Sequence, residues 1–218
     1  MKITILNLTL ISFTFSFAQV FTFNTNKDGK IVNHRIMIDQ NYLVETQFIS
    51  EPPEFISTRG GFFNQIGKTY ILDLEFNSNF KNDSLRILEL EKIKSWKKVS
   101  KNPIDLNGKW LMAGRVTDKG EKRRDISKPR KTMKFLKDGY FQWIAFNTET
   151  LQFFGSGGGF YNAQDGIYKE NIEFFSRNNK SVGRVLPFKY NVKGRDWHHQ
   201  GKSSKGVPMY EIWTKRID

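Results

Sequence analysis

Apolar and polar positions alternate along most of the chain in short runs punctuated by Gly, Asn, Asp and Pro, and helical spacing is scarce. Runs at 20–24 and 31–48 precede Pro52-Pro53, a pair that forbids continued ladder pairing. Asn41 splits the second of these, which reads as one bent strand or as a hairpin. The stretch 85–98 reads as strand or, from its Leu, Glu and Lys, as a short helix. Further runs at 110–116, 131–135, 140–147, 153–155, 159–161, 168–175, 182–193, 196–200 and 208–217 predict a small antiparallel barrel. The expected class is all-β.

A gapless shift of 98 positions lays 35–79 on 133–177. Tyr42 then meets Tyr140, Phe48 meets Phe146, Gly60-Gly61-Phe62 meets Gly158-Gly159-Phe160, and Glu75-Phe76 meets Glu173-Phe174. The period is too long for a solenoid, so two tandem β units are expected. They run over 19–100 and 106–218, joined by a linker at 101–105. The first has fewer residues between Phe76 and Trp96 than the second has between Phe174 and Trp213. It is therefore expected to be abbreviated or open and to depend on the second for cover. The glycine run 155–159 lacks the Lys-Ser or Lys-Thr and the following helix of a phosphate loop. Gly158 and Gly159, like Gly60 and Gly61, are expected to serve a bend or a close strand crossing.

Positions apolar in both copies should mark the buried face. The even positions Tyr140, Gln142, Ile144 and Phe146, with Tyr168, Glu170, Ile172 and Phe174, are expected to point inward. Gln142 and Glu170 are polar where the first copy has Val44 and Leu72. An isolated buried carboxylate costs roughly several kcal/mol, so Glu170 needs a partner. It is either a ligand anchor, with Gln142, Tyr140, Tyr168 and His198 or His199 as neighbours, or part of a structural hydrogen-bond cluster. Phe141 and Trp143, on the opposite face, are either an exposed interaction surface or the seam between the units.

Composition adds a compartment and a charge. The 218 residues carry a net charge of +13, from 35 Lys and Arg against 22 Asp and Glu, which favours polyanions. The most basic stretch, 115–137, contains Lys122, Arg123, Arg124, Arg130 and Lys131. It reads as a long loop, either solvated or gripping an anionic envelope polymer or lipid headgroups. The absence of Cys removes disulfides, thiol nucleophiles and thiolate metal sites. His198 and His199 are adjacent on a strand and point to opposite faces, so neither a metal nor another cofactor is expected. Asp196, His198 and Ser203 lack the spacing of a nucleophile elbow, and no enzyme is expected. Met1-Lys2, the apolar run 3–17 and Ser16-Phe17-Ala18 have the anatomy of a signal peptide, 1–18. A span needs about 20 apolar residues. The expected product is a secreted or periplasmic chain with no transmembrane segment in its mature part, and nucleic acid is not its expected partner.

Gly108-Lys109-Trp110, the run from Gly155 to Tyr161, Asp196-Trp197-His198-His199 and the run from Tyr210 to Arg216 resemble the lipocalin-like (calycin-like) domains of bacterial secreted proteins of unknown function. The likeness spans 106–216 and, more weakly, 31–98. It implies a β-barrel holding a small hydrophobic or amphipathic ligand, without catalytic residues. It also implies that Arg216 stacks on the indole of Trp110, with Gly108 as a structural glycine beside it. The expected function is ligand binding in the second unit. The alternative is an envelope interaction module using the basic loop and exposed aromatics.

Overall fold

A computed structural model describes residues 19–99 and 104–217; the expected leader and most of the expected linker lie outside them. The chain forms two antiparallel sheets. The first contains β1 (Gln19–Lys27), β2 (Lys30–Asp39), β3 (Tyr42–Ile49), β4 (Glu54–Ile66), β5 (Thr69–Asn77), β6 (Ile87–Glu91) and β7 (Lys97–Val99). Its order is β6-β5-β4-β3-β2-β1-β7, and it is open at β6 and β7. The second contains β8 (Gly108–Thr117), β9 (Gly120–Arg123), β10 (Arg130–Lys137), β11 (Tyr140–Asn147), β12 (Phe153–Gln164), β13 (Ile167–Phe175), β14 (Val185–Lys193), β15 (Asp196–Lys202) and β16 (Pro208–Lys215). Pairing of β10 with β8 closes it into a barrel of β8 and β10 to β16, with β9 folded back on β8.

Local sequence explains the connections. Asp28-Gly29, Asp138-Gly139 and Asp165-Gly166 have positive φ at both residues, the backbone a tight hairpin demands. Two ambiguous stretches resolve, and two runs expected to be separate strands merge. Residues 35–48 are a hairpin turning at Gln40-Asn41, 87–91 are strand rather than helix, and 153–164 are one continuous strand. Residues 115–137 are not one long loop. They hold the end of β8, β9 and all of β10.

The 98-position repeat survives in the ladder. Tyr42 pairs with Phe62 as Tyr140 pairs with Phe160, and both β3/β4 and β11/β12 shift register before Phe48 and Phe146. β4/β5 and β12/β13 share a second bulge, at Gly60/Gly61 and Gly158/Gly159, which leaves Glu75 and Glu173 as the extra residues. The glycines there let strands approach: a Cβ on Gly159 would overlap the Asn171 carbonyl, and one on Gly61 the Asp73 carbonyl.

These bulges overturn the expected single inward face, because an extra residue swaps the sides that follow it. On β11 the even residues Tyr140, Ile144 and Phe146 face the first sheet, where they pack with Val20, Met37, Tyr42, Val44 and Phe76. On β13 the even residues Tyr168 and Ile172 face the barrel interior, while Phe174, beyond the bulge, packs on Phe48 and Phe55. Each large apolar side chain so buried contributes roughly 1.5–3 kcal/mol, and the seam holds about ten of them.

Two arginines cross that seam reciprocally. Arg35 of the first sheet pairs with Glu173 and lies over Tyr140 (4.2 Å) and Phe160 (5.8 Å). Arg216, after the last barrel strand, pairs with Glu75 (2.8 Å) and lies over Tyr42 (4.9 Å) and Phe62 (5.1 Å). Each copy thus presents the same bulged Glu, Tyr and Phe to an arginine of the other. Arg216 therefore does not sit on Trp110. The ammonium of Lys215, the preceding residue on the strand, lies 4.6 Å from that indole, whose Nε1 donates to the Leu106 carbonyl at 2.7 Å.

A third core fills the hollow of the open sheet with Phe21, Ile36, Ile38, Leu43, Leu72 and Trp96 among others. Leu151, from the loop between β11 and β12, is buried in it.

Candidate functional site

The barrel interior is not fully packed. A cavity of about 350 Å³ enters it, at the low end of the roughly 300–1,000 Å³ of small-molecule sites. Its wall is apolar and aromatic: Trp143, Ile172, Phe175, Leu186, Phe188, Met209 and Trp213. Its depth is polar, with Lys134, Glu170, His199 and Glu211, and its rim carries Arg115, Arg130, Arg177, Ser203 and Ser204.

Strand alternation places these groups. On β10, Arg130, Thr132 and Lys134 line the cavity while Met133 and Phe135 fill the seam. Lys134 Nζ donates to Glu170 Oε1 at 2.7 Å, and Tyr168 Oη donates to the same oxygen at 3.1 Å. The ammonium is also enclosed by the rings of Tyr168, Phe188, Trp197 and Trp213 at 5.1–5.6 Å. Glu170 thus has its partner, and burial together with the Glu170 charge pushes the Tyr168 phenol well above its ordinary pKa.

His199 is wholly buried, and neither ring nitrogen has a hydrogen-bond partner among the described residues. Its Nδ1 lies 3.8 Å from Glu211 Oε2. Burial, and then the Lys134 charge, hold its pKa well below 6.5 despite Glu170, so the ring is neutral. A neutral imidazole offers one donor and one acceptor to whatever enters the cavity. The Trp197 indole nitrogen is likewise buried without a partner.

Of the residues expected to bind ligand, the structure brings Glu170 and Tyr168 together in the barrel and separates the others. Tyr140 lies in the seam under Arg35. Gln142 lies there too: it accepts from Thr46 Oγ1 (2.8 Å) and donates to Thr58 Oγ1 (2.9 Å) and Ser156 Oγ (3.0 Å). His198 points outward to Tyr210 (3.2 Å), and its neighbour His199 takes the interior side. Phe141 and Trp143 are neither surface nor seam but barrel interior, because β11 turns its odd residues inward. Among the basic residues, Lys122 and Arg123 are exposed on β9, where Arg123 pairs with Asp196 at 2.8 Å. Arg124 is exposed and donates to the Arg130 carbonyl, and Lys131 donates to the Ile126 and Lys128 carbonyls, tying down loop 124–129. Arg130 belongs to the cavity rim.

Sequence reasoning missed Lys134, Glu211, Arg115 and Arg177. The signal for Lys134 was its place between Met133 and Phe135, an ammonium inside an otherwise buried strand. Among the described residues, no group of three or more His, Asp or Glu comes together as a metal site, and no helix is long and apolar enough to cross a membrane.

No curated protein matches the chain. Residues 105–218 match a family described as a domain of unknown function, DUF4488. That stretch holds the whole closed barrel with its cavity and makes up more than half of the chain, so the protein belongs to the DUF4488 family.

Proposed function

We propose that the protein is an exported, non-enzymatic, lipocalin-like binding protein built of two tandem units, which holds a small hydrophobic or amphipathic ligand inside the closed barrel. The observation that carries this reading is a cavity walled by aromatics whose buried depth contains a neutral, unpartnered His199 beside the Lys134–Glu170 pair. Binding pockets combine apolar walls with a few placed polar groups, and this lining has that pattern. The leader-like residues 1–18 support export.

Native mass spectrometry of protein purified from its own host tests the reading. A stoichiometric small-molecule adduct is expected. It should disappear in Ala145→Trp, which fills the cavity from its lining, provided that the variant melts cooperatively. An adduct that persists in the folded variant, or a bare chain that takes up no apolar probe, would sink it.

A further inference from the structure

We propose that Arg130 and Arg177 hold the acid group of an amphipathic anion whose apolar body fills the barrel cavity, an inference that rests on the binding reading above. The charges lining the cavity carry the argument. Its basic residues are Arg115, Arg130, Lys134 and Arg177, and its acidic residues are Glu170 and Glu211. Lys134 is matched by Glu170 at 2.7 Å and Arg115 by Glu211 at 3.4 Å. Arg130 and Arg177 are left over, with no carboxylate within 4.0 Å among the described residues. A ligand with a negative group is therefore matched at the rim and nowhere deeper.

Both guanidiniums are also aimed. Arg177 donates from Nε and Nη2 to the Phe154 carbonyl at 3.1 and 2.9 Å and lies 5.6 Å from the Trp143 ring. Its Nη1 has no hydrogen-bond partner among the described residues. Arg130 lies 3.9 Å over the Phe154 ring and donates from Nη1 to the carbonyls of Lys131 (2.6 Å) and Phe146 (3.4 Å). Its Nε and Nη2 have no hydrogen-bond partner among the described residues. Burial and the neighbouring Arg124 and Arg177 charges lower the Arg130 pKa, so a bound anion relieves an existing repulsion. Two fixed forks with free N–H groups suit a carboxylate, and the aromatic wall below them suits an apolar body.

Calorimetric titration of the purified chain with matched probes is decisive. The pairs are decanoate with 1-decanol and indole-3-acetate with 3-methylindole; acetate supplies the head alone. At least one acid is expected to bind about tenfold more tightly than its neutral partner, with acetate weak. Arg130→Gln and Arg177→Gln should each remove about that factor and leave the neutral probe unchanged. Lys122→Gln, which removes the same charge from exposed β9, should change neither. Equal binding of acid and neutral probe, indifference to the two substitutions, or an equal loss in Lys122→Gln would overturn the rim clamp while the cavity reading stands. Failure of every probe to bind would overturn both.

Discussion

The two copies of the repeat place different chemistry at the same ladder positions. Where the barrel has Lys134 and Glu170, the open sheet has Ile36 and Leu72; where the barrel has Phe141 and Trp143, the open sheet has Leu43 and Glu45. The open sheet packs its hollow with its own apolar side chains, with Trp96, and with Leu151 lent by the other copy. The barrel, which pairs all of its edges, keeps an internal space with charged groups around it. Closure satisfies the barrel's strand edges through its own ladder, whereas the open sheet relies on packed side chains to cover its face.

The largest effect should come from making the barrel half like the sheet. Lys134→Met alone leaves the buried Glu170 charge with only the Tyr168 hydroxyl on it and is expected to cost about 3 kcal/mol in urea unfolding. Adding Glu170→Leu restores the sheet's apolar pattern and should recover that loss or exceed wild-type stability. A single variant as stable as wild type would show that the pair does not organise the interior. Next comes the borrowed residue. Leu151→Ala should cost about 2–4 kcal/mol as a core truncation, whereas Glu149→Ala on the same loop, being exposed, should change stability by under about 0.5 kcal/mol.

The crossing arginines test whether the copies dock as equals. Arg35→Ala should cost about 2 kcal/mol, less than a fully buried pair because the Glu173 side chain is 27% exposed. Arg216→Ala should cost a comparable amount, and a near-zero value for either would break the symmetry. The smallest effect is a pH dependence from the buried imidazole of the barrel. His199 has a depressed pKa in the fold, so its contribution is complete above the ordinary value of about 6.5. It is lost as pH falls toward the folded value, by up to roughly 1.4 kcal/mol per pH unit. His199→Phe should flatten the stability profile below pH 6.5 relative to wild type, and an unchanged slope would remove His199 as its source.

Strand positions, the repeat and the role of the glycines were legible because they are local properties of turns, alternation and spacing. The direction of each face was not. Alternation assigns sides only within an unbroken ladder, and the extra residue at Glu173 reverses the sides between Ile172 and Phe174. Comparing even positions across β11 and β13 therefore pooled seam residues with barrel residues. The two polar breaks in the pattern fared differently for that reason. Glu170 lies in the barrel, while Gln142 bridges the sheets through Thr46 and Thr58. Arg177 was invisible for another reason. It lies beyond the end of β13, and what places it at the rim is its bond back to the Phe154 carbonyl on the neighbouring β12, a contact that alternation does not specify.

The shared seam also sets the size of the piece that can stand alone. A fragment starting at residue 105 would carry every strand of the barrel, yet it would lay Met133, Phe135, Ile144 and Phe146 bare to water and leave Leu151 without its socket. The stretch that matches the family is thus shorter than the stretch that buries the seam. In this chain the boundary of the family match and the boundary of the shared core differ.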